Sequence, residues 1–232
     1  PGTRRRAYAD PAWREKLRSE VTPLFRNWWD RVVIGWSPSH RELEEQPLTA
    51  AAARLGKDPV DLALDISLAD DLQTRFRMAV MNFDEKEVAE LITDPHTVIA
   101  LSDAGAHASQ LCDACYSTHL LGHWVRERKT FTIEQAVHQL TQRPAEMFGI
   151  TERGVLAPGR PADVVVFDPA TVGPGPLKRV YDLPAGAGRL ISEASGIDAV
   201  IVNGRVIRRD GKDAVAANDR LPGRVLRHGR AA

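Results

Sequence analysis

The segment Thr97-Val98-Ile99-Ala100-Leu101-Ser102-Asp103 decides how the rest of the chain is interpreted. Its first five residues are mostly apolar, which is typical of a buried strand in a parallel sheet. Asp103 follows this strand, and α/β proteins place catalytic side chains at the carboxyl ends of their strands. Aspartate is also a preferred residue at the start of a helix. Position alone therefore leaves catalysis and helix capping as equal alternatives for Asp103.

The composition favours a globular protein and narrows the choice of partner. The chain has 232 residues, of which 43% are hydrophobic, enough for one large domain. Its 31 basic and 31 acidic residues balance, which gives no support to nucleic acid or a membrane surface as a partner. No apolar run approaches the roughly 18 residues of a membrane span. Residues 1–6 do not resemble a signal peptide, and two cysteines do not indicate disulfides, so we expect a cytoplasmic protein.

Helix and strand signals alternate along the first part of the chain. The apolar spacing predicts helices over 10–30, 49–55, 85–92, 117–128 and 133–141, and a further helix that begins at Asp58-Pro59. Capping boxes, Asp84 with Glu87 and Thr132 with Gln135, mark two of these helix starts. A strand is predicted at 31–34, before a polar loop that contains His40. This alternation indicates parallel strands joined by right-handed crossovers.

The pattern changes near Thr151, where turn residues and short strands replace helices. One strand is predicted at 163–168, and two more at 199–202 and 205–208. The last two flank Asn203-Gly204, a pair that predicts a two-residue hairpin with a type I′ turn. Both turn residues then need a positive φ. The last part of the chain is therefore predicted to be a small β module.

Several motifs together resemble one known family. They are Arg143-Pro144-Ala145, the turn from Gly154 to Gly159, the strand from Ala162 to Asp168, Val202-Asn203-Gly204, and the closing Gly223-Arg224-Val225-Leu226-Arg227. Their order and spacing resemble the C-terminal part of amidohydrolase-superfamily enzymes, most closely the N-acyl-D-amino-acid deacylases (D-aminoacylases). The similarity runs from about residue 28 to residue 227.

This resemblance implies an α/β fold, the C-terminal part of a (β/α)₈ TIM-type barrel followed by a small partial β-sandwich. Residues 1–150 would supply the last βα units of the barrel and residues 151–232 the sandwich portion. The implied activity is metal-dependent hydrolysis of the amide bond of N-acyl-D-amino acids, with zinc as the cofactor. Asp103 matches the aspartate that lies at the metal, takes a proton from the activated water and passes it to the leaving amine. His107 and His40 are then candidate substrate contacts.

The chain departs from the family pattern in its metal ligands. Its histidines are residues 40, 96, 107, 119, 123, 138 and 228, and none forms the His-x-His pair of the family's first barrel strand. A barrel takes about 250 residues, more than the part that precedes the β module. We therefore expect the carboxyl portion of a longer enzyme. Its partners would be the missing N-terminal half, or further copies in a homo-oligomer that covers the open strand edges, besides the small-molecule substrate.

Other interpretations stay open at this point. The parent enzyme could hydrolyse other amides, as dihydropyrimidinase-like amidohydrolases do, or the isolated chain could be a non-catalytic association module. His119 and His123 share a helical face and could bind zinc, but neither has an adjacent glutamate in a His-Glu-x-x-His pattern. Cys112 and Cys115 have C-x-x-C spacing without a second cysteine pair. A packed helix face and structural cysteines are the more economical interpretations.

The missing histidine pair generates a first prediction. The isolated chain should hydrolyse no N-acyl-amino acid and should bind zinc only weakly, because most of the ligand set lies elsewhere. Activity assays and metal analysis of a preparation shown by mass spectrometry to contain only this chain provide the measurement. Turnover with stoichiometric zinc would contradict the expectation.

Overall fold

The computed structural model describes residues 2–20, 28–100, 106, 108–109, 112–216, 218–227 and 230–231. The chain divides into two compact units, Pro1–Glu85 and Lys86–Ala232. Among the described residues, no helix is both long and apolar enough to cross a membrane.

The first unit has a core built on one short strand and two helices. Strand β1 (Val32–Trp36) contributes Ile34, which is fully buried. Helix α3 (Leu48–Leu55) ends at Gly56 in the left-handed conformation, and helix α4 (Pro59–Ala69) starts with Asp58 as its N-cap. The core side chains are Ile34, Leu43, Leu48, Ala51, Ala52, Leu62 and Ile66. The predicted helices at 49–55 and from Asp58-Pro59 are thus confirmed.

Two N-terminal helices, α1 (Gly2–Ala9) and α2 (Pro11–Glu20), bury no side chain completely. Helix α2 is the described part of the predicted helix 10–30. Its Arg18 Nη1 lies 2.6 Å from Asp61 on α4, and Arg14 Nη1 lies 2.8 Å from Asp65. Partly exposed ion pairs of this kind contribute little stability each, about 0–1 kcal/mol, so they orient α2 more than they stabilise it.

The strand pairing in this unit differs from the prediction. Strand β2 (Arg75–Met78) pairs with β1 in antiparallel register, Ile34 opposite Phe76, whereas the sequence pattern predicts parallel strands. A parallel pair is usually joined by a single crossover helix, whereas two helices, α3 and α4, lie between β1 and β2. Asp71 and Leu72, which both have positive φ, 58° and 64°, lie in the turn between α4 and β2.

The helices of the second unit surround a small apolar core. They are α5 (Glu85–Thr93), α6 (Tyr116–His119), which continues as a π-helix over Leu120–Glu127, α7 (Ile133–Leu140) and α8 (Gln142–Met147). The capping box of Thr132 and Gln135 is present at the start of α7. The core consists of Leu120, Leu121, Trp124, Phe131, Ala136 and Val172. A Cβ on Gly122 would lie 2.8 Å from the Val172 carbonyl oxygen, so only glycine allows this close approach of the π-helix.

The β module contains a four-stranded antiparallel sheet. Its order is β10 (Lys212–Asp213), β9 (Arg205–Arg209), β8 (Ile197–Val202) and β3 (Val164–Phe167). Three two-stranded pairs accompany it among the described residues of this unit. They are β4 (Gly173–Pro174) with β7 (Ala194–Ser195), β5 (Lys178–Val180) with β6 (Arg189–Ile191), and β11 (Leu226–Arg227) with β12 (Arg230–Ala231). The strands predicted at 163–168, 199–202 and 205–208 are therefore confirmed.

The hairpin between β8 and β9 turns at Asn203 and Gly204, with φ values of 46° and 80°. Both values are positive, as the predicted turn requires. The Asn203 side chain donates to the Pro222 carbonyl at 2.6 Å and accepts from Arg153 at 3.0 Å. The Gly204 N–H donates to the Ala162 carbonyl at 2.9 Å. Hydrogen bonds from three parts of the module thus hold this turn.

The described part of the segment that begins at Thr97 does not form the predicted strand. Thr97–Ala100 belong to no strand, and Leu101 to Gly105, which include Asp103, lie outside the described residues, as does His107. An apolar run becomes a strand only when neighbouring strands accept its backbone hydrogen bonds. The Thr97 carbonyl accepts hydrogen bonds from the Arg143 guanidinium instead, at 2.7 and 3.1 Å. The described fold is a mixture of helices and small sheets, and every strand pair in it is antiparallel.

Two glycines with positive φ generate a stability prediction. Gly204→Ala should cost about 1 kcal/mol, since a left-handed backbone strains a residue with a Cβ and no heavy atom lies within 4 Å. Gly196→Ala should cost about 1–3 kcal/mol more, because its Cβ would lie 2.6 Å from the Thr171 carbonyl carbon. Urea unfolding of both variants measures the difference, and equal midpoints would contradict it.

Candidate functional site

A polar loop follows β1 and contains His40. Within it, Ser37 is fully buried, and its N–H donates to the Glu44 carboxylate at 2.9 Å. The His40 N–H donates to the Ser37 hydroxyl at 3.2 Å. The loop is therefore fixed by its own hydrogen bonds, and it holds His40 at the end of β1.

The carboxylate of Asp70 lies beneath this loop and is 5% exposed. It accepts the Ser39 N–H at 2.9 Å, the Ser39 hydroxyl, and the Thr74 hydroxyl at 2.5 Å. A buried carboxylate is tolerated only when hydrogen bonds or an opposite charge replace its hydration. No ion pair among the described residues involves Asp70. Hydroxyl and backbone N–H donors therefore replace the hydration of the Asp70 carboxylate.

Two opposing effects determine the ionisation of Asp70. Burial, the largest effect, raises the pKa of the carboxyl group. Hydrogen bonds from the hydroxyls of Ser39, Thr74 and Ser37 lower it, and together they hold the pKa below its ordinary value. Asp70 is therefore ionised at neutral pH.

His40 is half-buried, and its Nδ1 lies 2.8 Å from the Ser39 hydroxyl oxygen. His40 borders a cleft of about 570 Å³, which is also lined by Glu42, Lys57, Asp65 and apolar residues of α3 and α4. An imidazole in such a position can donate or accept hydrogen bonds through its ring nitrogens.

The row Asp70, Ser39, His40 is not a catalytic triad. In a triad the imidazole lies between the carboxylate and the serine, so that it can remove the serine proton. Here Ser39 lies in the middle, and its hydroxyl donates to Asp70. The arrangement therefore orients His40 and leaves Ser39 without the role of a nucleophile.

The chain on either side of Asp103 and His107 is anchored, although both residues lie outside the part of the chain that the structure describes. Before them, Arg143 donates to the carbonyls of Pro95 and Thr97. After them, the Leu190 N–H donates to the Ala108 carbonyl at 2.8 Å. Arg179 donates to the Ser109 carbonyl, also at 2.8 Å. Helix α8 and the β5–β6 hairpin therefore fix the flanks of this segment.

The other metal candidates are not assembled into a site. The rings of His119 and His123 stack with centroids 4.8 Å apart, and His123 Nδ1 lies 2.9 Å from Glu127. Over residues 2–20, 28–100, 112–216 and the shorter described stretches, no three His, Cys, Asp or Glu side chains could hold a metal ion. Cys112 and Cys115 are free thiols, and burial is the main cause that raises the pKa of Cys115, which disfavours the reactive thiolate.

Asp70 and Ser39 are functional candidates that the sequence pattern does not single out. Asp70 is the C-cap of α4, where the helix dipole favours cations and disfavours a carboxylate. An acidic residue at the C-terminal end of a helix therefore indicates that hydrogen-bond donors lie close to it, and this signal could have identified Asp70. His40, in contrast, is identified from sequence by its place after a strand.

Comparison with known proteins identifies relatives over most of the chain. Residues 20–208 match the model of a family described as the amidohydrolase family. An N-acyl-D-glutamate deacylase from Alcaligenes xylosoxydans xylosoxydans is 35% identical over 202 residues, which are 85% of this chain and 36% of that protein. A D-aminoacylase from the same organism is 32% identical over 176 residues, 75% of this chain and 33% of that protein.

One similar solved structure is that of the N-acyl-D-glutamate deacylase from Bordetella bronchiseptica, complexed with zinc and a phosphonate inhibitor. It shares 30% identity, covers 81% of this chain and 36% of that chain, and gives a TM-score of 0.41. The chain thus spans about a third of the length of the curated relatives it matches. These sequence matches confirm the resemblance that the motifs indicate.

The ionisation of Asp70 generates a pH prediction. Its pKa is lower in the folded chain than the value of about 3.9 for an unfolded aspartate, so the unfolded chain binds the proton more readily. The stability that Asp70 contributes is therefore fully present above about pH 4 and is lost as the pH falls through the folded pKa. Asp70→Asn should flatten this acid loss, measured as urea unfolding free energy from pH 7 downwards. Parallel curves for both proteins would contradict the assignment.

Proposed function

The chain belongs to the amidohydrolase family, and we propose that the enzyme of which it forms part hydrolyses the amide bond of N-acyl-D-amino acids. The observation that supports this most directly is the 35% identity with an N-acyl-D-glutamate deacylase over 85% of the chain. The match to a D-aminoacylase supports the same reaction with other side chains. The shared chemistry is hydrolysis of a linear amide next to a D-configured carbon.

In this proposal the chain supplies the carboxyl part of a (β/α)₈ barrel over residues 1–150 and part of a β-sandwich over residues 151–232. The order of the family motifs supports this division, since Val202-Asn203-Gly204 and Gly223–Arg227 follow the helical part. The chain of the structure divides into its two compact units between Glu85 and Lys86. The boundary at residue 150 therefore remains a prediction about the whole enzyme.

Asp103 is the proposed general base and acid. Its carboxylate accepts a proton from the attacking water and returns it to the nitrogen of the leaving amine. One carboxylate can perform both transfers because the proton removed in the first step is the one required in the second. His107 and His40 are the proposed substrate contacts.

Zinc is the proposed metal, and the solved N-acyl-D-glutamate deacylase with zinc supports it at 30% sequence identity. When bound, such a metal would lower the pKa of the water bound to it to about 7. The described residues do not by themselves assemble a metal site. Ligands beyond them are therefore required, and Asp103 is the candidate that this chain contributes.

The remaining parts of the proposal concern partners and location. The substrate is a small N-acyl amino acid, and the protein partners are the rest of the same enzyme and further copies in a homo-oligomer. We place the enzyme in the cytoplasm, where free thiols such as Cys112 and Cys115 persist.

Asp103→Asn in the full-length enzyme tests the catalytic assignment. The substitution keeps the shape of the side chain and removes its basicity, so kcat should fall by about 10² to 10⁴-fold. KM and metal content should stay close to those of the wild type, since the lost interaction belongs to the transition state.

The alternative role of Asp103 makes the opposite prediction. Asparagine and aspartate rank alike as N-caps, so a capping residue would tolerate this change with nearly full activity. A wild-type kcat in Asp103→Asn would therefore show that Asp103 is a capping residue and not the general base.

A further inference from the structure

The Ser39 hydroxyl contacts both Asp70 and His40, but it has a single proton and can donate to only one of them. Its oxygen is hydrogen-bonded to Asp70 and lies 2.8 Å from His40 Nδ1. An ionised carboxylate has no proton and can only accept. The Ser39 proton must therefore point at Asp70, which leaves only the oxygen lone pairs for His40.

The direction of this first bond decides the second. Because the Ser39 oxygen accepts, His40 Nδ1 must donate, so a neutral His40 carries its proton on Nδ1. We propose that Asp70 and Ser39 are positioning residues that hold His40 in this tautomer, so that Nε2 accepts a hydrogen bond from a ligand in the cleft. The partner of one ring nitrogen commonly determines the state of the other in metal sites, and the same logic applies here without a metal.

The surroundings of Asp70 make the arrangement rigid. The Ser39 N–H at 2.9 Å and the Thr74 hydroxyl at 2.5 Å orient the carboxylate. A buried charge polarises the hydroxyl that donates to it and so strengthens that oxygen as an acceptor. The Ser37 hydroxyl also accepts the backbone N–H of His40 at 3.2 Å, which fixes the backbone of that residue.

The chemistry of the ligand follows from the tautomer. No described residue hydrogen-bonds His40 Nε2, and His40 borders the cleft of about 570 Å³. A neutral imidazole protonated at Nδ1 offers only an acceptor at Nε2. The reacting portion of an N-acyl amino acid has a carboxylate and an amide carbonyl, which accept, and one amide N–H, which donates. On the basis of the proposed function, His40 therefore binds the amide N–H of the substrate.

The tautomer can be measured on the chain itself. Long-range ¹H–¹⁵N NMR separates protonated from unprotonated ring nitrogens, and the spectrum of His40→Gln assigns the His40 signals. At a pH where the ring is neutral, Nδ1 should carry the proton in the wild type. A proton on Nε2 would overturn the proposal directly, without any variant of Asp70 or Ser39.

Three variants test the cause of this tautomer. Ser39→Ala removes the acceptor and should move the proton towards Nε2. Asp70→Asn should do the same, because the asparagine amide can donate to Ser39 and release the serine proton for His40. Thr74→Val is the matched control, since it removes another hydroxyl from Asp70 and leaves the Ser39 bridge. An unchanged His40 in either of the first two folded variants, or an equal change in the control, would overturn the role of the bridge.

Kinetics of the full-length enzyme test the ligand. His40→Leu removes the acceptor and should raise KM for an N-acyl-D-amino acid by about tenfold. His40→Gln should raise KM less than His40→Leu does, because its side-chain carbonyl also accepts. An unchanged KM in His40→Leu would refute the ligand assignment. A wild-type enzyme that hydrolyses no N-acyl-D-amino acid would refute the proposed function and the ligand with it, while the tautomer measurement would stand.

Discussion

The burial of one carboxylate constrains the whole first unit. Asp70 closes α4 at the end where the helix dipole is negative, so both burial and the dipole oppose its charge. The structure resolves this conflict with donors from the loop after β1 and from Thr74, just before β2. Removing one of these donors would leave a buried charge incompletely satisfied. The loop, the helix end and the second strand therefore have to stay together.

In the second unit, the structure depends on the close approach of backbone segments at two glycines. Gly122 lets the π-helix contact the Val172 carbonyl, and Gly196 lets β8 begin against Thr171 and Val172. Val172 is 1% exposed and belongs to the core that contains Trp124 and Phe131. Helices and β module meet at this point of the unit, and glycine supplies the space that any side chain would fill.

Local signals in the sequence predict local structure well, and they do not predict pairing. The Thr132 capping box, the Asp58 N-cap and the Asn203-Gly204 turn each act within a few residues, and each is present. The turn before β2 contains two left-handed residues, Asp71 and Leu72, that carry no glycine signal. The strand expected over 97–101 needs neighbours to pair with, and Arg143 takes the Thr97 carbonyl instead. Likewise, His40 could be selected from sequence, whereas Asp70 is 30 positions away and is linked to it through Ser39 only by folding.

The hairpin turn at Asn203-Gly204 has a consequence for the chemical ageing of the protein. Asparagine followed by glycine is prone to deamidation, in which the glycine nitrogen attacks the side-chain amide to form a succinimide. Here that nitrogen donates to the Ala162 carbonyl, and both ends of the Asn203 amide are engaged by Arg153 and Pro222. The attack would require these three hydrogen bonds to break together. A sequence that is chemically labile in a flexible chain is therefore protected as long as the β module stays folded.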